Sequence, residues 1–118
     1  MNILVVDDEP LIVRSLARLA RAEGFQPTVA HDGLQAWKLF EDSPQTWDML
    51  ITDIRMPGLD GLSLARRVRD SGSGVLVVFI SGHGQSPDVD ALKPAVFLPK
   101  PFSRRQLREI MAGSDADA

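Results

Sequence analysis

The chain contains no cysteine among its 118 residues. This absence excludes disulfide bonds, thiolate metal sites and a cysteine nucleophile, and it is consistent with a reducing compartment. A basic excess is also lacking, because the formal net charge is −3, so we do not expect direct nucleic-acid binding. No apolar stretch approaches membrane-spanning length, and the first four residues lack the basic start of a signal peptide. We therefore expect a cytoplasmic protein with no membrane contact.

The composition is that of an ordinary globular protein, with an apolar fraction of 44% and a charged fraction of 25%. The length suits one domain with one core. We place this domain at residues 1–113, and the small and acidic residues 114–118 are expected to form a flexible C-terminal tail.

Short aliphatic runs alternate five times with amphipathic segments. The predicted strands are residues 3–6, 27–30, 49–51, 75–80 and 96–98. Helices are predicted to begin near Pro10, Asp32, Asp60 and Ser103, with Gln35 and Gln106 completing capping pairs. This alternation implies an α/β fold, with a parallel sheet covered by helices on both faces.

Helical spacing also predicts which side chains face inward. In the second helix the apolar stripe is Leu34, Trp37 and Phe40, and we interpret Trp37 as a core residue rather than a ligand platform. Arginines on the first and third helices are predicted to be solvated; these are Arg14, Arg18, Arg21, Arg66, Arg67 and Arg69.

Polar residues follow four of the five predicted strands. The first strand is followed by Asp7 and Asp8, the third by Asp53, the fourth by Ser81 and the fifth by Lys100. Each residue alone has an ordinary explanation as a helix cap, a turn residue or a surface lysine. Because the carboxyl ends of parallel strands meet at one edge of a sheet, together they indicate a binding site there.

The chemistry of this set is coherent. Carboxylates placed close together repel one another unless a cation lies among them. Oxygen ligands without histidine or cysteine suit a hard ion such as Mg²⁺. A carboxylate beside such an ion can attack phosphorus, while a lysine and a hydroxyl could bind the phosphoryl oxygens.

Four motifs now identify a resemblance. They are Val-Asp-Asp-Glu-Pro at 6–10, Asp53 with Met-Pro-Gly-Leu-Asp-Gly at 56–61, Ser-Gly-His-Gly at 81–84, and Lys-Pro-Phe at 100–102. From Ile3 to about Met111 the chain resembles the receiver (CheY-like) domain of bacterial two-component response regulators. The resemblance implies a single doubly wound, flavodoxin-like parallel sheet of five strands in the order 2-1-3-4-5.

The resemblance also implies a role for each residue. Asp53 matches the phosphoacceptor, Lys100 the phosphoryl-binding lysine with a cis bond to Pro101, and Ser81 and Phe97 the switch residues. The implied Mg²⁺ ligands are Asp7, Asp8, Asp53 and the backbone carbonyl of Arg55, and the expected rim of the pocket is Arg55 and His83. The implied partners are a sensor histidine kinase or phosphotransfer protein, a downstream effector domain or partner protein, and, as one option, a second copy in a homodimer. Such a domain accepts a phosphoryl group with self-catalysed phosphorylation and dephosphorylation and is not a turnover enzyme.

Two alternatives remain open at this point. A phosphatase of the haloacid dehalogenase type also uses a strand-end aspartate, but it requires a second acid two residues on, where this chain has Arg55. A binding module of the same fold, such as a degenerate receiver, usually lacks one of the acids or the lysine, and all are present here. A nucleotide-binding loop of the Gly-x-x-x-x-Gly-Lys-Ser/Thr type is absent.

The interval from Ser81 to Lys100 is about three residues shorter than in most receivers, nearly one turn at ~3.6 residues per turn. Pro87 and Pro94 restrict it further, so we predict a fourth helix of at most about two turns over residues 87–93. We expect this segment to be short or partly irregular and mobile. The recognition surface should then be atypical, and the usual dimer through this face is in doubt.

Overall fold

The computed structural model describes residues 1–82 and 90–116, with side chains as far as Ala112. Its five strands form one parallel sheet in the order β2-β1-β3-β4-β5, which confirms the predicted fold class and strand order. The strands are β1 (Asn2–Val6), β2 (Gln26–Ala30), β3 (Met49–Asp53), β4 (Leu76–Ser81) and β5 (Ala95–Pro99).

Helices cover both faces of the sheet. They are α1 (Pro10–Ala22), α2 (Gly33–Asp42), α3 (Gly61–Asp70) and α4 (Arg104–Ala116). Side chains alternate between the faces along each strand. Leu50, Val77 and Phe79 belong to the cluster that contains α2 and α3, and Ile51 and Val78 to the cluster that contains α1 and α4. Two apolar cores therefore hold β1, β3 and β4 rigidly in the middle of the molecule.

Local capping signals start the helices where the sequence predicts. Asp32 Oδ1 accepts a hydrogen bond from the Gln35 amide at 2.7 Å, and Gln35 Oε1 accepts one from the His31 amide at 2.8 Å. At the start of α4 the pair is reciprocal: Ser103 Oγ accepts a hydrogen bond from the Gln106 amide at 3.0 Å, and Gln106 Oε1 accepts one from the Ser103 amide at 2.8 Å. Such bonds satisfy amide groups that have no partner within the helix, so these start positions depend on local sequence alone.

The predicted apolar stripe of α2 is wrong at Leu34, which is 58% exposed. The helix instead faces the core through Gly33, Ala36 and Phe40. Gly33 is required at the start of α2 because a Cβ there would overlap the backbone carbonyl oxygen of Leu59. This close approach rotates the helix and leaves Leu34 in solvent.

Trp37 is a packing residue, as predicted. Its ring lies 6.0 Å from that of Phe40 between centroids, in a stacked arrangement. The Arg67 guanidinium carbon lies 5.9 Å from the Trp37 ring centroid, a cation–π contact between α3 and α2. The second tryptophan, Trp47, lies just before β3, and its indole Nε1 is buried without a hydrogen-bond partner among the residues that the structure describes.

The prediction that Arg69 is solvated is wrong. Its guanidinium donates hydrogen bonds to three backbone carbonyls: Nε to Leu92 at 2.8 Å, and the two terminal nitrogens to Ser73 at 3.0 Å and Pro94 at 2.6 Å. Partial burial lowers the pKa of Arg69 from its ordinary value. Arg69 therefore joins the end of α3 to the chain that leads into β5.

The segment between β4 and β5 is described only in part. Asp90–Leu92 form a single 3₁₀ turn, and Leu92 is buried against the core on the α2 and α3 side. The remaining residues of the predicted short helix at 87–93, up to residue 89, lie outside the described part of the chain. The last helix, α4, runs past Gly113 to Ala116, into the segment expected to be a tail.

Candidate functional site

Three carboxylates lie together at the carboxyl ends of two neighbouring central strands. Asp7 follows β1, and Asp53 is the last residue of β3, which pairs with β1. Asp7, Asp8 and Asp53 each offer a carboxylate oxygen within 4.8 Å of the others. Asp7 and Asp53 are buried, while Asp8 is exposed. The strand-end acids that the sequence singled out are therefore brought into one cluster, open to solvent on the side of Asp8.

The Asp7 carboxylate is only partly satisfied. Its Oδ1 accepts a hydrogen bond from the Glu9 amide at 2.9 Å. Its Oδ2 is buried without a hydrogen-bond partner among residues 1–82 and 90–116. Burial raises the pKa of Asp7 above its ordinary value, since desolvation outweighs the lowering by the Glu9 amide and by Lys100. An oxygen in this position is suited to a positively charged ligand.

Lys100 lies between the two buried acids. Its Nζ is 3.6 Å from Asp7 Oδ2 and 3.6 Å from Asp53 Oδ2. The residue follows β5, and its amide donates a hydrogen bond to the Ser81 carbonyl oxygen at 2.7 Å. The peptide bond from Lys100 to Pro101 is cis, as the resemblance implied. Since the lysine side chain is 20% exposed, its charge can reach both the buried acids and a group entering from solvent.

Ser81 ends β4, the strand next to β3, and the residue is buried. Gly82 follows directly, and a Cβ on it would lie 3.8 Å from the aliphatic part of the Lys100 side chain. Ser81 and Lys100 therefore come from adjacent strands to the same edge as Asp53, as the sequence analysis predicted.

The loop after Asp53 is held close to the strand ends. The Ile54 amide donates to the Ile80 carbonyl oxygen at 3.1 Å, and the Gly61 amide donates to the Ile54 carbonyl oxygen at 2.9 Å. A Cβ on Gly61 would overlap the Asp53 carbonyl oxygen, so only glycine lets α3 approach this closely. The sequence pattern at Asp60-Gly61 predicted only a helix start; the need for glycine at position 61 was missed, although the glycine itself is the signal for it.

Thr52 was also missed. It is fully buried, and its hydroxyl donates a hydrogen bond to the Asp53 carbonyl oxygen at 2.9 Å. This bond fixes the backbone of the residue that bears the central carboxylate. A threonine within an apolar strand is the only sequence signal for this role, and it is weak.

Of the remaining predicted residues, the structure describes Arg55 and Phe97. Arg55 is exposed on the loop after β3 and, with Ile54, Met56, Pro57 and Asp60, lines a shallow pocket beside the strand ends. Phe97 is half-buried on β5, pairs with Phe79 in register and packs against the core on the α2 and α3 side. His83 lies outside the described residues.

The donor set fits the predicted ion. All three clustered side chains offer carboxylate oxygen, Asp7 Oδ2 is buried with no hydrogen-bond donor within the described ranges, and Asp8 is exposed. Hard cations such as Mg²⁺ prefer this chemistry and retain bound water where the site is open.

Comparison with known proteins agrees with this geometry. Residues 3–112 match the family described as Response regulator receiver domain. The chain belongs to this family. It is a signalling domain rather than a classical turnover enzyme, which removes the dehalogenase-type phosphatase alternative.

Similar proteins include the response regulator MprA of Mycobacterium avium (strain 104), which is 35% identical over 111 residues. That alignment covers 91% of this chain and 47% of the relative, so the chain spans about half the length of the curated relatives of this kind. The receiver domain of the hybrid histidine kinase CckA has 35% identity and a TM-score of 0.84, covering 97% of this receiver and 98% of that chain.

A CheX–CheY–BeF₃–Mg²⁺ complex from Borrelia burgdorferi has 29% identity and a TM-score of 0.84. The alignment covers 95% of this receiver and 87% of that chain.

In the described part of this receiver, no helix combines the length and apolar character needed to cross a membrane.

Proposed function

We propose that this receiver domain accepts a phosphoryl group on Asp53 from a phosphohistidine of a sensor histidine kinase or phosphotransfer protein. The supporting observation is the position of the Asp53 carboxylate. It is buried at the end of a central strand, 3.6 Å from the Lys100 ammonium and grouped with Asp7 and Asp8. A carboxylate held rigidly at a concave sheet edge can act as an oxygen nucleophile toward phosphorus.

In this reaction an Asp53 oxygen forms a bond to phosphorus while the bond from phosphorus to the donor nitrogen breaks. The product is an acyl phosphate, and the imidazole is the leaving group. Lys100 would neutralise a phosphoryl oxygen, and Ser81 would hydrogen-bond to another. When bound, Mg²⁺ would neutralise charge on the phosphoryl oxygens; Asp7, Asp8, Asp53 and the Arg55 backbone carbonyl would hold it.

The experiment uses acetyl phosphate as donor and intact mass as readout. The wild-type protein should gain one phosphoryl mass in the presence of Mg²⁺ and none in excess EDTA. Asp53→Asn should gain none under either condition. Asp60→Asn is a matched control, because asparagine preserves the cap of α3 and the acid lies outside the carboxylate cluster. Phosphorylation of Asp53→Asn at the wild-type rate would overturn the assignment.

Phosphorylation would then change a surface read by a downstream effector domain or partner protein. Ser81 gains a phosphoryl partner only in the modified state, and Phe97 lies on the neighbouring strand, so a shift of Ser81 can bias the position of the ring. Beryllofluoride, which mimics the phosphoryl group, should therefore move amide resonances of β5 as well as those near Asp53. Shifts limited to the loop after Asp53 would contradict this switch.

A further inference from the structure

The charges of this acidic protein are unevenly distributed. The chain has 16 acidic and 13 basic residues, yet α1 bears Arg14, Arg18 and Arg21 and no acid between Pro10 and Ala22. Surface helices commonly pair opposite charges three or four residues apart, and α1 cannot do so. Its positive charge is therefore available to a partner.

The three arginines line one side of a groove between α1 and the edge strand β2. Their spacing of four and three residues places them on one face of the helix. We call this feature the arginine groove; it is lined by Pro10, Val13, Arg14, Ala17, Arg18, Arg21, Val29 and His31. Its lining combines exposed cationic side chains with the buried apolar side chains of Val13 and Ala17. It is thus concave and positively charged.

No carboxylate within the described ranges lies within 4 Å of the three guanidinium groups. Two arginines of α4 differ, because Arg108 contacts Glu23 at 3.0 Å and Arg105 contacts Glu109 at 3.4 Å. Arginine is also the side chain best suited to paired hydrogen bonds with carboxylates. The groove therefore presents three such groups without a carboxylate partner among the residues that the structure describes.

The size of the positive region indicates the kind of partner. Arg14 and Arg21 are separated by roughly 10 Å along the helix axis at the usual rise per residue. Acids bound the region at both ends of α1, with Asp8 and Glu9 before Pro10 and Glu23 after Ala22. A long polyanion such as a nucleic acid would extend over these acids and be repelled, whereas a short acidic peptide segment would not.

We propose that the arginine groove is a docking site for a short acidic segment of a partner protein. This inference does not depend on phosphorylation of Asp53, since the groove excludes the three clustered carboxylates and Lys100. Two or three carboxylates on one face of the segment would pair with the arginines.

The test titrates the ¹⁵N-labelled protein with an oligoglutamate peptide of about eight residues, which is long enough to span the roughly 10 Å from Arg14 to Arg21. Passing the buffers over a chelating resin keeps the carboxylate site free of metal without adding a soluble polycarboxylate that would compete for the arginines. Saturable amide shifts should map to α1 and β2. The double variant Arg14→Glu/Arg21→Glu should bind the peptide at least about tenfold more weakly than the wild-type protein. Arg14→Gln/Arg21→Gln, which removes charge without reversing it, should give an intermediate loss.

The matched control is Lys38→Glu/Arg66→Glu, which makes the same charge change at exposed positions of α2 and α3. This control should bind the peptide with an affinity within about twofold of the wild-type value, as expected when only long-range charge is altered. Equal weakening in both charge-reversed doubles, or shifts spread over the whole surface, would overturn the proposal. Tighter binding of an oligothymidylate of equal charge would overturn it in favour of a nucleic-acid site.

Discussion

Replacing Arg69 with alanine should destabilise the protein and loosen the entry into β5. The guanidinium bonds to the carbonyls of Leu92, Ser73 and Pro94, which lie before β4 and before β5. The Pro94 carbonyl also accepts the Val77 amide at 3.0 Å, a contact at the start of the pairing between β4 and β5. Removing the arginine leaves that pairing without its side-chain support.

The size of the effect follows from these three bonds. A hydrogen bond from a charged donor contributes about 1.5–3 kcal/mol when buried, and less when water can replace the donor. The side chain is only partly buried and the bond to Pro94 is exposed, so part of the gain is recovered by solvent. We therefore expect Arg69→Ala to lower the free energy of unfolding by about 2–3 kcal/mol. Arg69→Lys should cost about half as much, because one ammonium cannot reach all three carbonyls.

Denaturant unfolding measures the total loss, and amide exchange at Val77 and along β5 locates it. Arg66→Ala is the control, because Arg66 is exposed on the same helix and should change stability by less than about 0.5 kcal/mol. Equal stability of Arg69→Ala and Arg66→Ala would show that Arg69 does not stabilise the entry into β5. An increase in amide exchange in the other strands, but not at Val77 and along β5, would show the same.

Two further predictions concern single positions. Asp7→Asn should stabilise the metal-free protein at neutral pH, because burial raises the pKa of Asp7 and so disfavours its ionised form. The free-energy cost of ionising Asp7 in the folded wild-type protein is absent below the pKa of the unfolded state, near 3.8, and grows as the pH rises through the folded pKa. The stabilities of the two proteins should therefore converge in acid, and a constant difference at all pH values would contradict this. Gly33→Ala should cost about 1–3 kcal/mol through overlap with the Leu59 carbonyl, measured by thermal unfolding. Gly74→Ala, where nothing lies within 4 Å, is its control, and equal melting temperatures for the two variants would disprove the overlap.

The sequence predicted best what is decided locally. The caps at Asp32, Asp60 and Ser103 were predicted because each bond joins residues three positions apart. The convergence of Asp7, Asp53 and Lys100 was also predictable, since a parallel sheet brings the carboxyl ends of its strands to one edge.

The errors concern contacts between distant parts of the chain. Arg69 looked solvated because its acceptors near β5 are 23 and 25 residues away, and no local pattern marks them. Leu34 was predicted to be buried because the apolar stripe of α2 was inferred from helical spacing alone. The approach of Gly33 to Leu59, which sets the rotation of α2, is a tertiary contact.

The placement of the two tryptophans determines what intrinsic fluorescence can measure. Trp47 precedes β3 and Asp53 ends it, so six residues at about 3.3 Å each separate the indole from the carboxylates by roughly 20 Å. Trp37 lies in α2, in contact with Phe40 and Arg67. Neither ring touches the carboxylate cluster, so a bound ion or phosphoryl group has no direct contact through which to quench them. A change in tryptophan emission on phosphorylation would therefore report a conformational change away from the carboxylate cluster, and it could be measured without an added label.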